Sequence, residues 1–423
     1  MKGLKKMSKI NTKVTDSVNF FQGNKPSELT AKFGSPLYVY NERILRERCR
    51  ELKHLVDYKN FIVNYSAKAN SNLAFLEIVN EEGLYVDAMS PGEIYVELKA
   101  GFKPEQIFYI SNNVSKEEMQ YAIDHNILIS VDSLAQLEQY GQINPGGKVA
   151  IRFNSGVGAG HHEKVVTGGK KTKFAVNPEY IPEVREILKK YDLKLVGINQ
   201  HIGSLFMEGD KYIEGVKAIL EIVKQFDDLE FVDLGGGFGI PYEKLNDQPR
   251  LDLKDLGTKL NKVMEDFAKE YGKEITFKIE PGRYISAECC VLLGTVHAVK
   301  QNNVHKFAGT DIGFNVLQRP VMYDSHHDIE VYNDSDETEE ITVVGNICES
   351  GDILAKDRML PVINIGDTIG LLDAGAYGYS MASNYNNRLR PAEVLIRENG
   401  EAVLIRERDE LEDLTRHMIS LKK

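Results

Sequence analysis

Four short stretches of this 423-residue chain set reactive side chains beside turn-forming residues: Ser66-Ala67-Lys68-Ala69-Asn70, His201-Ile202-Gly203-Ser204, Gly235-Gly236-Gly237-Phe238-Gly239 and Glu280-Pro281-Gly282-Arg283. A lysine amine can condense with an aldehyde to give an imine. A run of glycines exposes backbone N–H groups and lets the chain close around an anion. A carboxylate can keep a proton on a heterocyclic nitrogen, and a histidine can lie flat on the ring. Singly, each has a plainer explanation. Lys68 would be a solvated turn residue, His201 a hydrogen-bonded scaffold group, the glycines a tight turn, and Glu280 with Arg283 a surface ion pair. For the set to mean nothing, all of these must hold independently. Together the groups suit pyridoxal phosphate, which needs an amine, a phosphate cradle and a carboxylate at its ring nitrogen.

The elements that would position them follow one rhythm. Short strand-like runs lie at 61–65, 85–88, 107–110, 127–131, 149–153, 195–199, 231–234 and 277–280, several of them rich in Val, Ile, Phe and Tyr and ending in Gly, Asn, Asp or Ser. Between them lie stretches with apolar residues at three- and four-residue steps, among them 178–191, 211–226 and 252–271. Strands alternating with helices imply parallel pairing, and eight such units predict a (β/α)8 barrel of the TIM type within an α/β chain. Functional residues of such a barrel project from the C-terminal strand ends. Lys68 follows the first run, Asp87 ends the second, His201 follows the sixth, the glycines the seventh, and Glu280 closes the eighth. Asp87, Pro281 and Gly282 are counted with the cofactor group on this ground.

Beyond Arg283 the helical period fades. Runs at 290–299, 341–344, 368–372 and 402–406 alternate with turns, and a helical pattern returns only at 409–420. The expected organisation is an N-terminal segment (1–41), a cofactor-binding barrel (42–285) and a C-terminal antiparallel β domain (286–423). Residues 36–40 (PLYVY) would lend the β domain a strand. The acidic stretch 333–340 reads as a solvated hairpin tip.

Composition narrows the function. A hydrophobic content of 42% with 27% charged residues allows a large core, and a net charge of −11 argues against a nucleic-acid partner. The basic start MKGLKKMSKI lacks the apolar stretch of a secretory signal, and no apolar run approaches the ~20 residues that span a bilayer. A soluble cytoplasmic protein with no membrane partner is expected. The four cysteines, Cys49, Cys289, Cys290 and Cys348, match no zinc spacing, and Cys289 and Cys290 sit in an apolar run as buried filler. No metal is expected. The segment 156–172 is long, glycine-rich and basic; despite His161 and His162 it reads as a mobile loop over the site rather than a metal centre.

YSAKAN, HIGS, GGGFG and EPGR, in this order, resemble the barrel-type decarboxylases of the alanine-racemase fold class that act on ornithine, arginine and diaminopimelate. Cys348-Glu349-Ser350-Gly351-Asp352, Asp373-Ala374-Gly375-Ala376-Tyr377-Gly378, Ser383-Asn384-Tyr385-Asn386 and Arg319-Pro320 with Tyr323 sharpen the likeness towards the diaminopimelate decarboxylases, over residues 35 to 410. The resemblance implies a pyridoxal-phosphate enzyme that removes CO2 from a small amino acid. Lys68 carries the cofactor through an imine, and His201 lies against the ring. Ser204, Gly235, Gly236, Gly237, Arg283 and Tyr377 hold the phosphate region, and Glu280 meets the ring nitrogen. Arg283, Arg319, Tyr323 and Tyr377 bind substrate, the far carboxylate above all, and Glu349 reads its far ammonium. Cys348 returns a proton to carbon. Cys348 and Glu349 reach the site from a neighbouring subunit, so a homodimer is implied. Glu349 speaks against ornithine, for which aspartate is more usual at that place. Decarboxylation of ornithine or D-lysine, and a non-catalytic regulator of the same fold, are the alternatives, the last disfavoured by the presence of both Lys68 and Cys348.

Overall fold

The computed structural model describes residues 13–158, 169 and 172–421. Strand β1 (Leu37–Asn41) comes first and belongs to the second sheet. Strands β2 (Phe61–Ser66), β3 (Tyr85–Ala88), β4 (Ile107–Ile110), β5 (Leu128–Val131), β6 (Lys148–Arg152), β7 (Lys194–Asn199), β8 (Phe231–Asp233) and β9 (Thr276–Ile279) follow. β2 to β9 form a closed, all-parallel barrel, sealed where Phe61 pairs with Phe277. Each predicted run lies within one residue of its strand. The reason is local: the β-rich segments are buried by the barrel interior on one side and by helices on the other, so the apolar runs are continuous.

The helices start where the side chains say they should. Asn72, Ser90, Ser133 and Asp252 each accept a hydrogen bond from a backbone N–H of the first turn, and Ser115 with Glu118 forms a capping box. Such caps contribute ~1 kcal/mol each. The stretch 178–191 splits into a 3-10 turn, Pro178–Tyr180, and the helix Ile181–Lys190.

The second sheet comprises β1 with β10 (Cys290–Gln301), β11 (Lys306–Thr310), β12 (Ile329–Val331), β13 (Thr338–Val344), β14 (Ile353–Pro361), β15 (Thr368–Leu371), β16 (Ala392–Ile396) and β17 (Ala402–Arg406). Its main order is β14-β13-β11-β10-β1-β16-β17, with β15 pairing both β10 and β12. The sheet is mostly antiparallel, as expected, although β1–β16 and β11–β13 run parallel. The N-terminal strand is therefore central: all five residues of β1 are buried, and Tyr40 donates its hydroxyl hydrogen bond to Glu393 of β16 at 2.7 Å.

Two expectations fail here. Residues 409–420 form only a 3-10 turn, Leu411–Leu414, with Leu411, Met418 and Ile419 exposed. A short amphipathic pattern has no stability without a surface to bury its apolar face. The acidic stretch 333–340 is no hairpin tip. It crosses between strands that do not pair with each other, its last three residues lie in β13, Asn333 donates to Asp367 at 2.7 Å, and Glu339 pairs with Lys306. Most of 156–172, including His161 and His162, lies outside the described residues. Among the described residues no helix is long and apolar enough to cross a membrane, and no cluster of His, Cys, Asp or Glu could hold a metal ion.

Candidate active site

At the end of β2 the chain turns through a short 3-10 helix, Ala67–Ala69, whose two alanines are buried. The turn is pinned from both domains: Ser66 N–H donates to Pro281 O (3.1 Å) and Tyr377 N–H to Ala69 O (2.8 Å). This lifts Lys68 into the barrel mouth. Burial pulls its ammonium pKa down, but Asp87, then Tyr377 and Glu280, bring it above the ordinary value. Asp87 accepts from Ser66 Oγ at 2.7 Å and is pushed up to about 7 by burial, against the pull of Lys68. Asp233 and Glu280 are likewise raised by burial, Glu280 further by Asp233 and Asp87. Burial and mutual repulsion disfavour ionisation of these carboxyls; Lys68 opposes that at Asp87 and Glu280, and Lys278 and Arg152 oppose it at Asp233.

The glycine run packs between neighbouring strand ends. Gly235 has φ +76°, and a Cβ on Gly236 would overlap the carbonyl of Glu280. A Cβ on Gly237 would come within 2.5 Å of the Gly203 carbonyl oxygen. Gly236 N–H donates to His201 Nδ1 at 3.2 Å, so that nitrogen is an acceptor, and burial, then Lys68 and Arg152, holds the imidazole pKa well below its usual value. His201 is neutral. Glu280 is buried, its N–H donates to Gly235 O, and its Oε1 has no partner. Pro281 and Gly282 form the turn behind it, Gly282 packing on Ser66 and Ala69.

Arg283 donates from Nη1 to Tyr242 OH (2.9 Å) and from Nη2 to Ser204 Oγ (3.0 Å), with its guanidinium 5.0 Å from the Tyr377 ring centroid. The β domain adds the helix Arg319–Tyr323. Arg319 is 1% exposed, lies 4.5 Å from the Tyr242 ring centroid, and is pushed down to about 10, by burial and against Arg283. Among the described residues neither guanidinium has a carboxylate within ion-pair distance.

A cavity of about 370 Å³ brings eight of the expected residues together: Lys68, His201, Ser204, Glu280, Arg283, Arg319, Tyr323 and Tyr377. Asp87 and the glycines 235 to 237 are not among its lining residues; they pack beside Lys68, His201 and Glu280. Cys348 and Glu349 are not in it. They lie exposed on the loop after β13, where Cys348 N–H donates to Asn386 Oδ1 (3.0 Å) and Glu349 accepts from Tyr385 OH (2.6 Å). Sequence reasoning missed Arg152 and Asn199, which line the cavity. Asn199 ends a predicted strand and Arg152 stands one residue before the end of another, as Asp233 does, so the strand-end rule that found Lys68 could have found all three. Tyr242 and His327 carry no comparable signal.

The residues present fit pyridoxal phosphate. The Lys68 amine and the buried Glu280 carboxyl, whose Oε1 has no hydrogen-bond partner among the described residues, line one cavity, and Gly235 to Gly237 pack nearby where a Cβ would overlap backbone. Fold and site define a pyridoxal-phosphate-dependent carboxy-lyase. Residues 42–287 match the family described as pyridoxal-dependent decarboxylase, pyridoxal binding domain. The chain is 43% identical over 400 residues to the diaminopimelate decarboxylase of Methanothermobacter thermautotrophicus, covering 92% of each. It is 34% identical to that of Escherichia coli K12, over 91% of this chain and 94% of the relative. The crystal structure of diaminopimelate decarboxylase from Helicobacter pylori complexed with L-lysine superposes with a TM-score of 0.84 at 32% identity, covering 95% of this chain and 98% of the other. The chain belongs to the pyridoxal-dependent decarboxylases and, within them, to the diaminopimelate decarboxylase family.

Proposed function

We propose that the protein converts meso-2,6-diaminopimelate to L-lysine and CO2. The observation that carries the substrate assignment is the pair of buried guanidiniums, Arg283 and Arg319, lining the Lys68 cavity and forming no ion pair with a carboxylate among the described residues. Diaminopimelate differs from lysine by one carboxylate, and a buried cation left unpaired by the wrong substrate is costly. The lysine-bound Helicobacter pylori relative supports the same reading.

When bound, pyridoxal phosphate supplies the sink for the electron pair left as the carbon–carboxylate bond breaks. Lys68 would hold the cofactor covalently, with Asp87 balancing its charge. Glu280 would keep a proton on the ring nitrogen. His201, its imidazole pKa held well below the usual value, would lie against the ring. Ser204, Gly235 to Gly237 and Arg283 hold the phosphate region with Tyr377. Arg319, with Arg283 and Tyr323, holds the far carboxylate in paired, orienting hydrogen bonds. Cys348 donates the proton that replaces CO2, and Glu349 reads the far ammonium. The resemblance to the family implies that both act on the cavity of a second copy in a homodimer, and their exposure outside their own chain's cavity supports that reading.

Carbon dioxide release from meso-diaminopimelate with added cofactor tests the proposal. Turnover of D-lysine or ornithine at equal or greater rates, with none of diaminopimelate, would overturn it.

A further inference from the structure

We infer that His327 is a positioning residue that aims Arg319 at the substrate carboxylate while leaving its charge unspent; the inference rests on the reading of Arg319 given above. His327 is 1% exposed, as is Arg319. Its Nδ1 lies 2.7 Å from Leu372 O, a backbone carbonyl that can only accept, so Nδ1 carries the proton. That leaves a lone pair on Nε2, which accepts from Arg319 Nη1 at 2.8 Å. The tautomer is thus set by the carbonyl after β15, and the imidazole is an uncharged acceptor.

The surroundings complete the bracket. Arg319 Nη2 donates to Ser325 Oγ at 3.3 Å, and Tyr242 stands edge-on to His327, ring centroids 5.3 Å apart. Tyr242 also takes the Arg283 hydrogen bond, so one aromatic ring spaces the two guanidiniums. The helix carrying Arg319 is only five residues long and cannot by itself hold a long side chain in one rotamer.

The choice of acceptor is what gives this function. A carboxylate at position 327 would hold Arg319 equally well but neutralise it, and the substrate would meet a spent cation. A neutral imidazole fixes direction and leaves the full charge for the ligand. Nothing else in the bracket, Ser325, Tyr242 or Leu372 O, is anionic.

The test compares two ligands of the holoenzyme. L-lysine keeps the carboxylate remote from the reacting carbon; 1,5-diaminopentane lacks it. In His327→Leu the KM for meso-diaminopimelate and the dissociation constant of L-lysine rise roughly ten-fold. The turnover number and the affinity for 1,5-diaminopentane stay as in the parent enzyme. His327→Gln, which restores an oxygen acceptor near the Nε2 position, recovers most of the loss. Equal weakening of both ligands, or a Gln variant no better than Leu, overturns the inference. Arg319→Ala separates the two readings. If it too leaves the ratio of the two affinities unchanged, the carboxylate assignment itself fails; if it shifts the ratio and His327→Leu does not, only the role of His327 fails.

Discussion

The barrel mouth and the loop after β13 hold the two halves of one proposed reaction in opposite environments. At the mouth, Lys68, Asp87, Glu280, Arg283 and Arg319 are sunk among strand ends, and their protonation is set by burial and by one another. On the loop, Cys348 and Glu349 face solvent, held by Asn386 and Tyr385 and by the Asp352 N–H that donates to Glu349 O. The proposed cofactor-holding residues are thus gathered in one chain, while the proposed proton donor stands outside their cavity. Groups in the first set have protonation set by burial, and those in the second are left at the surface.

Four perturbations break or sharpen that contrast. The largest effect belongs to Lys68→Ala, which abolishes turnover and leaves no cofactor attached after borohydride reduction, read by absorbance and peptide mass. Cys348→Ala keeps the cofactor and its spectrum but loses activity by about 10²–10⁴-fold, the range of a positioned proton donor. Mixing these two inactive variants under conditions that exchange subunits regains activity, since one hybrid site has both groups. No regain would place Cys348 and Lys68 in the same subunit's site. Arg319→Ala raises the KM for diaminopimelate roughly 10²-fold, as expected for one partner of a buried charged pair, with cofactor affinity little changed. Equal loss of both would contradict the carboxylate role.

The smallest expected effect concerns the seam that keeps the two regions together. Glu288, where the chain leaves the barrel, meets Arg250 (2.7 Å), Arg48 (3.1 Å) and Lys244 (3.2 Å). Burial would raise its pKa, but these cations, Lys244 foremost among them, hold it down to about 2. A depressed folded-state pKa contributes stability that is complete above the unfolded value of about 4.3 and is lost as pH falls towards 2. Glu288→Gln should cost about 3 kcal/mol at pH 7. Its deficit against the parent in urea unfolding narrows as pH falls below about 4.5. A deficit independent of pH would rule out the ion cluster as its cause.

Most of the barrel was legible because strand runs and helix caps are local: Ser115 with Glu118, or the run 107–110, needs no distant partner to be read. The C-terminal half was less so. β16 hides behind Pro391 and gains its identity from pairing with β1, more than 350 residues away in sequence. The pattern at 409–420 looked helical and is not, because no apolar surface receives it.

Residue types and order determined by themselves the barrel, the lysine, the glycine run and the carboxylate, since each is a strand-end feature fixed by its own few neighbours. Tertiary structure alone decided that the Tyr242 ring stands between Arg283 and Arg319, and that the imidazole of His327 meets Arg319 as a neutral brace. These depend on which buried groups meet across distant segments, and that is not written in spacing along the chain.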